Sequence, residues 1–361
     1  PIYNVPVFYL NRPEYEASIQ TPTPVEYEGV VLENRYLRLT FLPELGGRLY
    51  SAVIKATNQE VFYHNPVVKP SRYGGLEPAE AKWGLASGGM EWAYPTQEHG
   101  FRFGVPWHYR VVQTTAGTSI ILAETAPERI GLQVSVTLPE DSSTFIVQPK
   151  FVNNVRESVP VQVWTNAALA LDPGGMSSDT QFIIPSEVIT VHSRGEADWA
   201  VPDARMQAPW PQIAGNDLSD YRQWANYLGF FVSNRDASFI AAYNPTSRLG
   251  MVRLPESGAE LGAGKIFAFG PAFPDRSYTD DESQYFEIWG GANAAFWPEY
   301  DIEVSPGQKL TWTERWWPLA GLPQLTWATS RAAISLSQTG QNNQLSILVA
   351  EPLTGSVDIL D

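Results

Sequence analysis

Apolar and polar residues alternate with a period of two along most of the chain. In the run 36–42, Leu37, Leu39 and Phe41 fall on one side, and Arg38 and Thr40 fall on the other. Comparable runs recur at 119–123, 132–138, 144–152, 161–169, 229–232, 239–243, 284–289 and 309–316. Gly, Pro, Asn and Asp separate the runs, as at 139–141 and 234–236. This pattern is typical of many short antiparallel strands joined by turns, and it predicts an all-β fold.

Helix signals are scarce, and few short helices are expected. The Ala-rich segment 325–336, which follows Pro323, is the best candidate for a helix. The segment 203–226 combines prolines and tryptophans with an acidic run near its end. A long irregular insertion of this kind in a β domain often forms the rim of a site, so we expect a loop there.

The last part of the chain predicts a short C-terminal extension. The runs 345–349 and 356–360 have the pattern of two strands. Because two strands alone do not form a stable sheet, they either pair with the main domain or belong to a natural chain that continues past Asp361, and we favour the second.

Three regions are therefore expected along the chain. Residues 1–28 form an arm that packs on the main domain, and residues 29–320 form one large β domain. Residues 321–361 form a helix and the start of a C-terminal β region that is truncated here.

Composition narrows the class of partner. The 361 residues include 43% hydrophobic residues, enough for a sizeable core. Lys and Arg number 24 against 39 Asp and Glu, a formal net charge of −15, which disfavours nucleic acid and acidic membrane surfaces as partners. The absence of cysteine excludes disulfides and thiolate metal sites. No signal peptide is seen in the sequence given, and the compartment, bacterial cytoplasm or exported, stays open because the natural start of the chain is not in hand.

The stretch 87–111 concentrates polar and aromatic side chains within the length of about one hairpin. It contains, in order, Gly88-Gly89, Glu91, Trp92, His99, Arg102 and Trp107. Core strands do not require a Glu, a His and an Arg so close to tryptophans. A sugar-binding cleft does, because sugar rings offer apolar faces for stacking and hydroxyls for hydrogen bonding.

These residues carry a resemblance to a known fold. Gly88-Gly89, Pro95, 99–102 and Pro106-Trp107 together are similar to the signature of the aldose and hexose-6-phosphate mutarotases, members of the galactose mutarotase-like (aldose 1-epimerase-like) superfamily. Five further segments resemble more closely a bacterial and archaeal domain family of unknown function that is often joined to tetratricopeptide repeats: 60–65, 87–91, 164–168, 264–267 and 285–291. The resemblance runs from about residue 30 to residue 319 and implies a galactose mutarotase-like β-supersandwich.

The resemblance also implies roles for particular residues. Glu287 would be the base that takes the proton of the anomeric hydroxyl, and His99 would be the acid or a hydroxyl-binding group. Arg102 would bind a hydroxyl or a carboxylate of the substrate. The mutarotases carry a second histidine where this chain has Asn166, and an amide does not transfer protons at neutral pH. This departure counts against simple mutarotase activity.

The chain offers Glu91 as an additional carboxylate. Paired with Glu287, it would supply the minimal equipment of a glycoside hydrolase, and the separation of the two carboxyl groups would indicate retention or inversion. Four tryptophans are candidate stacking platforms for the sugar: Trp92, Trp107, Trp164 and Trp289. A simpler interpretation makes Glu91 an ion-pair partner of Arg102 or Arg110 at the rim, and His99 a structural histidine.

The sequence therefore predicts a protein that binds a mono- or oligosaccharide and acts at its anomeric centre. The leading hypothesis is a glycosidase that uses Glu287, Glu91 and His99, with Arg102, Asn166 and the four tryptophans binding substrate. An aldose mutarotase is the alternative within the enzymes. A non-catalytic carbohydrate-binding module of a larger protein is the alternative outside them. No cofactor and no metal site are expected: the acidic run 280–282 is typical of a solvated turn. The sequence does not indicate an oligomeric state.

Overall fold

The computed structural model describes residues 3–18, 21–71, 83–260, 262–270, 278–339 and 342–354. Two large antiparallel sheets dominate these residues, as the period-two pattern predicts. The one α-helix among the described residues is short, α1 (Arg12–Ala17), and Asn11 caps its N-terminus. Single 3₁₀ turns occupy Tyr221–Gln223 and Pro298–Tyr300. The all-β prediction is confirmed.

The first sheet has twelve strands. They are β1 (Val30–Glu33), β2 (Leu37–Leu42), β3 (Arg48–Ile54), β4 (Gln59–Glu60), β5 (His64–Ser71), β6 (Gly84–Ala93), β12 (Trp164–Leu169), β14 (Val188–Arg194), β15 (Gln207–Pro209), β18 (Leu228–Ser233), β21 (Ala263–Ala268) and β22 (Phe286–Gly291). The main path runs β1-β2-β3-β6-β12-β22-β21-β18-β14-β15, with β4 beside β3 and β5 beside β6. The strands β6, β12, β22 and β21 thus lie side by side at its centre, although they are distant in sequence.

The second sheet has nine strands. They are β7 (His108–Thr114), β8 (Gly117–Glu124), β9 (Gly131–Leu138), β10 (Phe145–Val152), β13 (Gln181–Ile183), β19 (Ile240–Asn244), β20 (Leu249–Pro255), β24 (Lys309–Thr311) and β25 (Glu314–Ala320). Their order is β13-β19-β20-β25-β10-β9-β8-β7, with β24 beside β10. Two small two-stranded sheets pair β11 (Val159–Val161) with β23 (Ile302–Val304) and β16 (Gln212–Ile213) with β17 (Asn216–Asp217).

The main core lies between the two large sheets. Strand β9 alternates buried and half-buried residues, because only one of its faces meets the first sheet. Strands β12 and β22 are buried along their whole length, since both of their faces are covered. The outer face of these two central strands is where buried polar side chains collect, and it carries the candidate site described below.

A buried polar node joins the two sheets. Glu314 of β25 is fully buried and accepts hydrogen bonds from Arg253 Nη2 at 2.8 Å and from Thr165 Oγ1 of β12 at 2.9 Å. The indole N–H groups of Trp312 and Trp316 donate to the same carboxylate at 3.0 and 3.1 Å. A buried carboxylate is tolerated here because each oxygen receives donors and the charge has a cationic partner.

The predicted helix at 325–336 is wrong. Trp327–Ala328 and Ala332–Thr339 are strands β26 and β27, and with β28 (Asn342–Val349) they form a three-stranded sheet. Alanine favours helix, but Ala333 and Ser335 alternate with more exposed neighbours, and an eight-residue antiparallel ladder to β28 decides the outcome. The strand predicted at 345–349 lies within β28, and the one at 356–360 lies outside the described residues.

The N-terminal arm and the insertion 203–226 both contact or extend the main sheets. Val5 of the N-terminal arm is buried in the main core. The insertion 203–226 is not wholly irregular: it contains β15, β16 and β17, and β15 extends the edge of the first sheet by pairing with β14. No helix in the described part of the chain combines the length and the apolar character that crossing a membrane requires.

Candidate functional site

A row of side chains crosses the centre of the first sheet on its outer face. Glu91 of β6 lies opposite Asn166 of β12, which lies opposite Trp289 of β22, which lies opposite Lys265 of β21. Residues directly opposite each other on neighbouring antiparallel strands share a face. Glu287 is on the same face as Trp289, two positions earlier, so it belongs to the adjacent row.

The glycine pair before Glu91 explains how this strand fits its neighbours. Gly88 and Gly89 have φ values of +83° and +73°, which favour glycine. A Cβ on Gly88 would lie 1.9 Å from the carbonyl oxygen of Tyr63. A Cβ on Gly89 would lie 2.9 Å from the carbonyl oxygen of Leu49 in β3, so this glycine allows β6 to approach the strand that carries Arg48. Arg48 Nη1 donates to the Gly88 carbonyl at 2.8 Å. The pair therefore positions Arg48 beside Glu91.

Glu91 is the centre of a hydrogen-bonded network of charged and polar side chains. Its Oε2 accepts from Arg48 Nη2 at 3.0 Å, its Oε1 accepts from Asn166 Nδ2 at 3.2 Å, and the same oxygen binds Nδ1 of His99. Burial opposes the charge of Glu91, but His99 and Arg48 outweigh it and lower the pKa of this carboxyl to about 2. Glu91 is therefore a fixed anion at neutral pH.

His99 is protonated at neutral pH, whereas a buried histidine is usually neutral. Burial alone lowers the pKa of an imidazole, but Glu91, with smaller contributions from Glu287 and Glu98, raises it to about 9. The ring tilts over Trp289 with 5.2 Å between the centroids. Because Nδ1 is bound to Glu91, the imidazolium has Nε2–H left to offer to a ligand.

Glu287 is the second carboxylate of the site, and its surroundings differ from those of Glu91. It is 8% exposed, and its Oε2 accepts from Trp289 Nε1 at 2.9 Å. Burial raises its pKa above the usual carboxyl range, although Lys265 and His99 act in the other direction. In the described structure Glu287 has no ion pair within 4.0 Å. A carboxylate with a raised pKa is suited to accept a proton.

His99, Glu287 and Trp289 border a cavity of about 160 Å³. Its walls are formed by Glu98, His99, His192, Ser193, Tyr227, Lys265, Phe267, Phe269, Tyr278, Glu287 and Trp289. A cavity of roughly 150 Å³ binds benzene, so this cavity has room for about one six-membered ring. Aromatic faces and a few polar groups are the usual lining of a small-molecule site.

The structure brings together five of the residues named from the sequence. His99, Glu287 and Trp289 line the cavity, while Glu91 and Asn166 lie behind His99. Glu91 is not a wall residue, so the expected carboxylate pair of Glu91 and Glu287 facing one cavity does not occur. The rim ion pair suggested as an alternative does not occur either, because the partner of Glu91 is Arg48.

Four other candidates lie away from the cavity walls. Arg102 donates to Glu124 at 2.8 Å and to the Pro6 carbonyl, and does not reach the site. Trp92 and Trp107 belong to the main core, because alternation turns Trp92 to the face opposite Glu91. Trp164 shares the face of the site but is covered by Phe231 and Phe296. Among these tryptophans, Trp289 remains as the aromatic platform.

Sequence reasoning missed four contributors. Lys265 and His192 line the cavity, as does Glu98 next to His99, and Arg48 supports Glu91. The signal for Lys265 was present: it is a lysine flanked by Gly264 and Ile266 in a run of otherwise small or apolar residues. Burial and the Lys265 charge lower the pKa of His192 to about 3, so it is neutral. No group of three or more metal-ligating side chains is found among the described residues.

The architecture places the protein among those of galactose mutarotase-like β-sandwich fold. A TPR-domain containing protein from Parabacteroides distasonis superposes with a TM-score of 0.67 at 23% identity, over 82% of this chain and 48% of that one. The chain thus spans about half the length of that relative. A galactose mutarotase related enzyme from Lactobacillus acidophilus gives a TM-score of 0.53 at 15% identity, over 82% and 100% of the two chains. A galactose mutarotase-like protein from Clostridium acetobutylicum gives 0.52 at 11%, over 82% and 96%.

Within this fold, residues 4–319 match the family DUF5107, which is described as a domain of unknown function. The chain belongs to this family.

Proposed function

We propose that the protein interconverts the anomers of an aldose, with Glu287 as general base and His99 as general acid. The observation that carries the proposal is that Glu287 and His99 line one cavity, so that a carboxyl group and an imidazole can reach the same sugar. Burial raises the pKa of Glu287 and makes it a better proton acceptor, while the negative charge of Glu91 raises the pKa of His99 to about 9 and keeps it protonated. Fold similarity to mutarotase-like proteins is consistent with it.

The proposed reaction needs only these two groups. Glu287 accepts the proton of the C1 hydroxyl while His99 gives its Nε2 proton to the ring oxygen. The bond between C1 and the ring oxygen breaks, and C1 becomes an aldehyde carbon. Rotation about the C1–C2 bond and the reverse proton transfers close the ring with the other configuration. Protons and electrons balance within the cycle, and both residues regain their starting state.

The missing second histidine is compatible with this assignment. Asn166 stands in its place and donates to Glu91, so it helps to hold the carboxylate that orients His99. An amide suits this role because it keeps the same donor at every pH. In this proposal Asn166 is a positioning residue, and no proton passes through it.

A glycosidase with Glu91 as general acid is less well supported. A general acid must hold its proton at working pH, and a carboxyl with a pKa of about 2 does not. Glu98 and Glu287 both line the cavity, however, so a glycosidase that pairs these two carboxylates is the second candidate. Hydrolysis of aryl glycosides and oligosaccharides, and its loss on Glu98→Gln, would favour that candidate.

The test of the proposal is anomer exchange measured by NMR on simple aldoses, with the spontaneous rate subtracted. Glu287→Gln and His99→Asn should each lower kcat/KM by about 10²–10⁴-fold, the usual contribution of general acid–base catalysis. Glu124→Gln is the control for Glu287→Gln, since Glu124 is also a buried glutamate but does not line the cavity. Full exchange activity in Glu287→Gln would refute the proposal. Sugar binding without turnover by the unmodified protein would favour a binding module.

A further inference from the structure

Lys265 is a buried lysine in the cavity wall that the proposed reaction does not use. Burial lowers the pKa of its ammonium group, and Glu98 and Glu287 oppose that shift. The residue is 2% exposed, and its Nζ lies 4.7, 4.6 and 5.4 Å from the ring centroids of Trp289, Phe296 and Phe267. Among the described residues no hydrogen-bond acceptor contacts Nζ, and no carboxylate lies within 4.0 Å of it. The aromatic faces stabilise an ammonium group but cannot accept its hydrogen bonds as oxygen atoms do.

A buried ammonium of this kind is costly to keep without a partner. Elsewhere in the protein, the buried cations that the structure describes have carboxylate partners: Arg48 pairs with Glu91, and Arg253 pairs with Glu314. Lys265 departs from this rule at the cavity wall. The ammonium group of Lys265 is thus left for a ligand in the cavity to satisfy.

We propose that Lys265 binds the carboxylate of an anionic sugar, so that the substrates are hexuronates or related sugar acids. This inference rests on the proposed function and specifies its substrate class. Lys265 lies opposite Trp289, and Glu287 lies two positions away on that strand, a diagonal relation that separates the backbones by about 7–8 Å. One sugar ring placed between them would present C1 to Glu287 and His99 and a carboxylate to Lys265.

The charges of the cavity favour a carboxylate over a phosphate. A phosphate dianion is usually met by several donors or by arginine. Apart from His99, which the proposed reaction uses as its acid, the described wall residues offer one ammonium and a neutral imidazole. Glu98 and Glu287 also line the cavity and would repel a second negative charge. A single carboxylate matches the single free cation among the described wall residues.

Matched sugars test this inference by calorimetry: D-glucuronate against D-glucose, D-galacturonate against D-galactose, and D-mannuronate against D-mannose. In the unmodified protein at least one uronate should bind about tenfold or more tightly than its neutral counterpart, the ordinary contribution of a charge-assisted hydrogen bond. Lys265→Met keeps the length of the stem and should remove the preference. Lys309→Met changes an exposed lysine of β24 and should leave it intact.

Several results would overturn the inference. These are equal or tighter binding of the neutral sugar in all three pairs, no detectable binding of any uronate, or a preference that survives in Lys265→Met. Borohydride reduction in the presence of an aldose gives a further test. A mass increase on Lys265 would show that the lysine acts as a nucleophile, and would also overturn the inference. If Lys265→Met does not fold, the three pairs measured on the unmodified protein decide the question.

The proposed function and this inference fail in different ways. Exchange of neutral aldoses that depends on Glu287, without any preference for uronates, would refute the role of Lys265 and leave the mutarotase proposal standing. Uronate binding that depends on Lys265, without anomer exchange, would refute the mutarotase proposal and leave the anion site standing.

Discussion

Replacing Glu91 with Gln tests whether this carboxylate acts through His99. The substitution removes the charge that keeps the imidazole protonated but preserves a hydrogen-bonding group of the same size. The pKa of His99 should fall from about 9 to its ordinary value of 6.5 or lower, because burial then acts without opposition from Glu91. At about 1.4 kcal/mol per pH unit, the change corresponds to roughly 3 kcal/mol of lost interaction with the imidazolium.

The effect on rate follows from the fraction of His99 that is protonated. At pH 7.5 nearly all of it is protonated when the pKa is about 9. About one tenth is protonated when the pKa is 6.5, so the variant should be about tenfold slower there. The pH profile of kcat/KM for anomer exchange is bell-shaped if Glu287 must be ionised and His99 protonated. Its upper limb should move from about 9 to near or below 6.5 in Glu91→Gln.

Two measurements check this prediction. NMR exchange rates over the pH range give the profile, and the ring signals of His99 give its titration in both proteins. Glu124→Gln removes a similarly buried, arginine-paired carboxylate and should lower stability without moving the upper limb. An upper limb that stays near 9 in Glu91→Gln would refute the argument that Glu91 controls the protonation of His99.

The remaining predictions concern stability. Because burial raises the folded-state pKa of Glu287, its ionisation costs stability as pH rises, so Glu287→Gln should melt at a higher temperature than the parent at pH 8; an unchanged or lower Tm contradicts this. His192 has a folded-state pKa of about 3 against 6.5 unfolded, so stability should fall as pH drops from 6.5 towards 3, and His192→Gln should flatten that part of a urea-denaturation series. Glu314→Ala leaves Arg253 buried without its partner and should cost about 3–5 kcal/mol of unfolding free energy; a loss below 1 kcal/mol would show that the node is weak.

The sequence predicted the sheets because their pattern is local. A period of two appears wherever one face of a strand is buried, and Gly and Pro mark the turns between strands. The helix predicted at 325–336 failed because alanine content describes a local preference, and the pairing of β27 with β28 is not local. The order of strands within each sheet depends on contacts between distant segments, which one sequence does not display.

The same distinction applies to the site. His99 and Glu287 were chosen as candidates because a charged residue on a buried strand, or within an aromatic cluster, requires a reason, and both line the cavity. The partner of Glu91 was mistaken because Arg48 lies 43 residues away in sequence and meets Glu91 through the approach of β3 and β6. Trp92 and Trp107 were assigned to the cleft by proximity in sequence, whereas strand alternation and packing turn them into the core. Lys265 could have been chosen by the rule that identified Glu287.

The node at Glu314 has a consequence for how the protein loses its structure. Thr165 donates to Glu314 and precedes Asn166 on β12, the strand between β6, which carries Glu91, and β22, which carries Glu287. The site-bearing strand is therefore fastened through the interior to β20 and β25 of the opposite sheet. The two sheets should open in a single step, with amide hydrogens of β12 and β25 exchanging at the same free energy, and heat should abolish ligand binding and near-UV dichroism together.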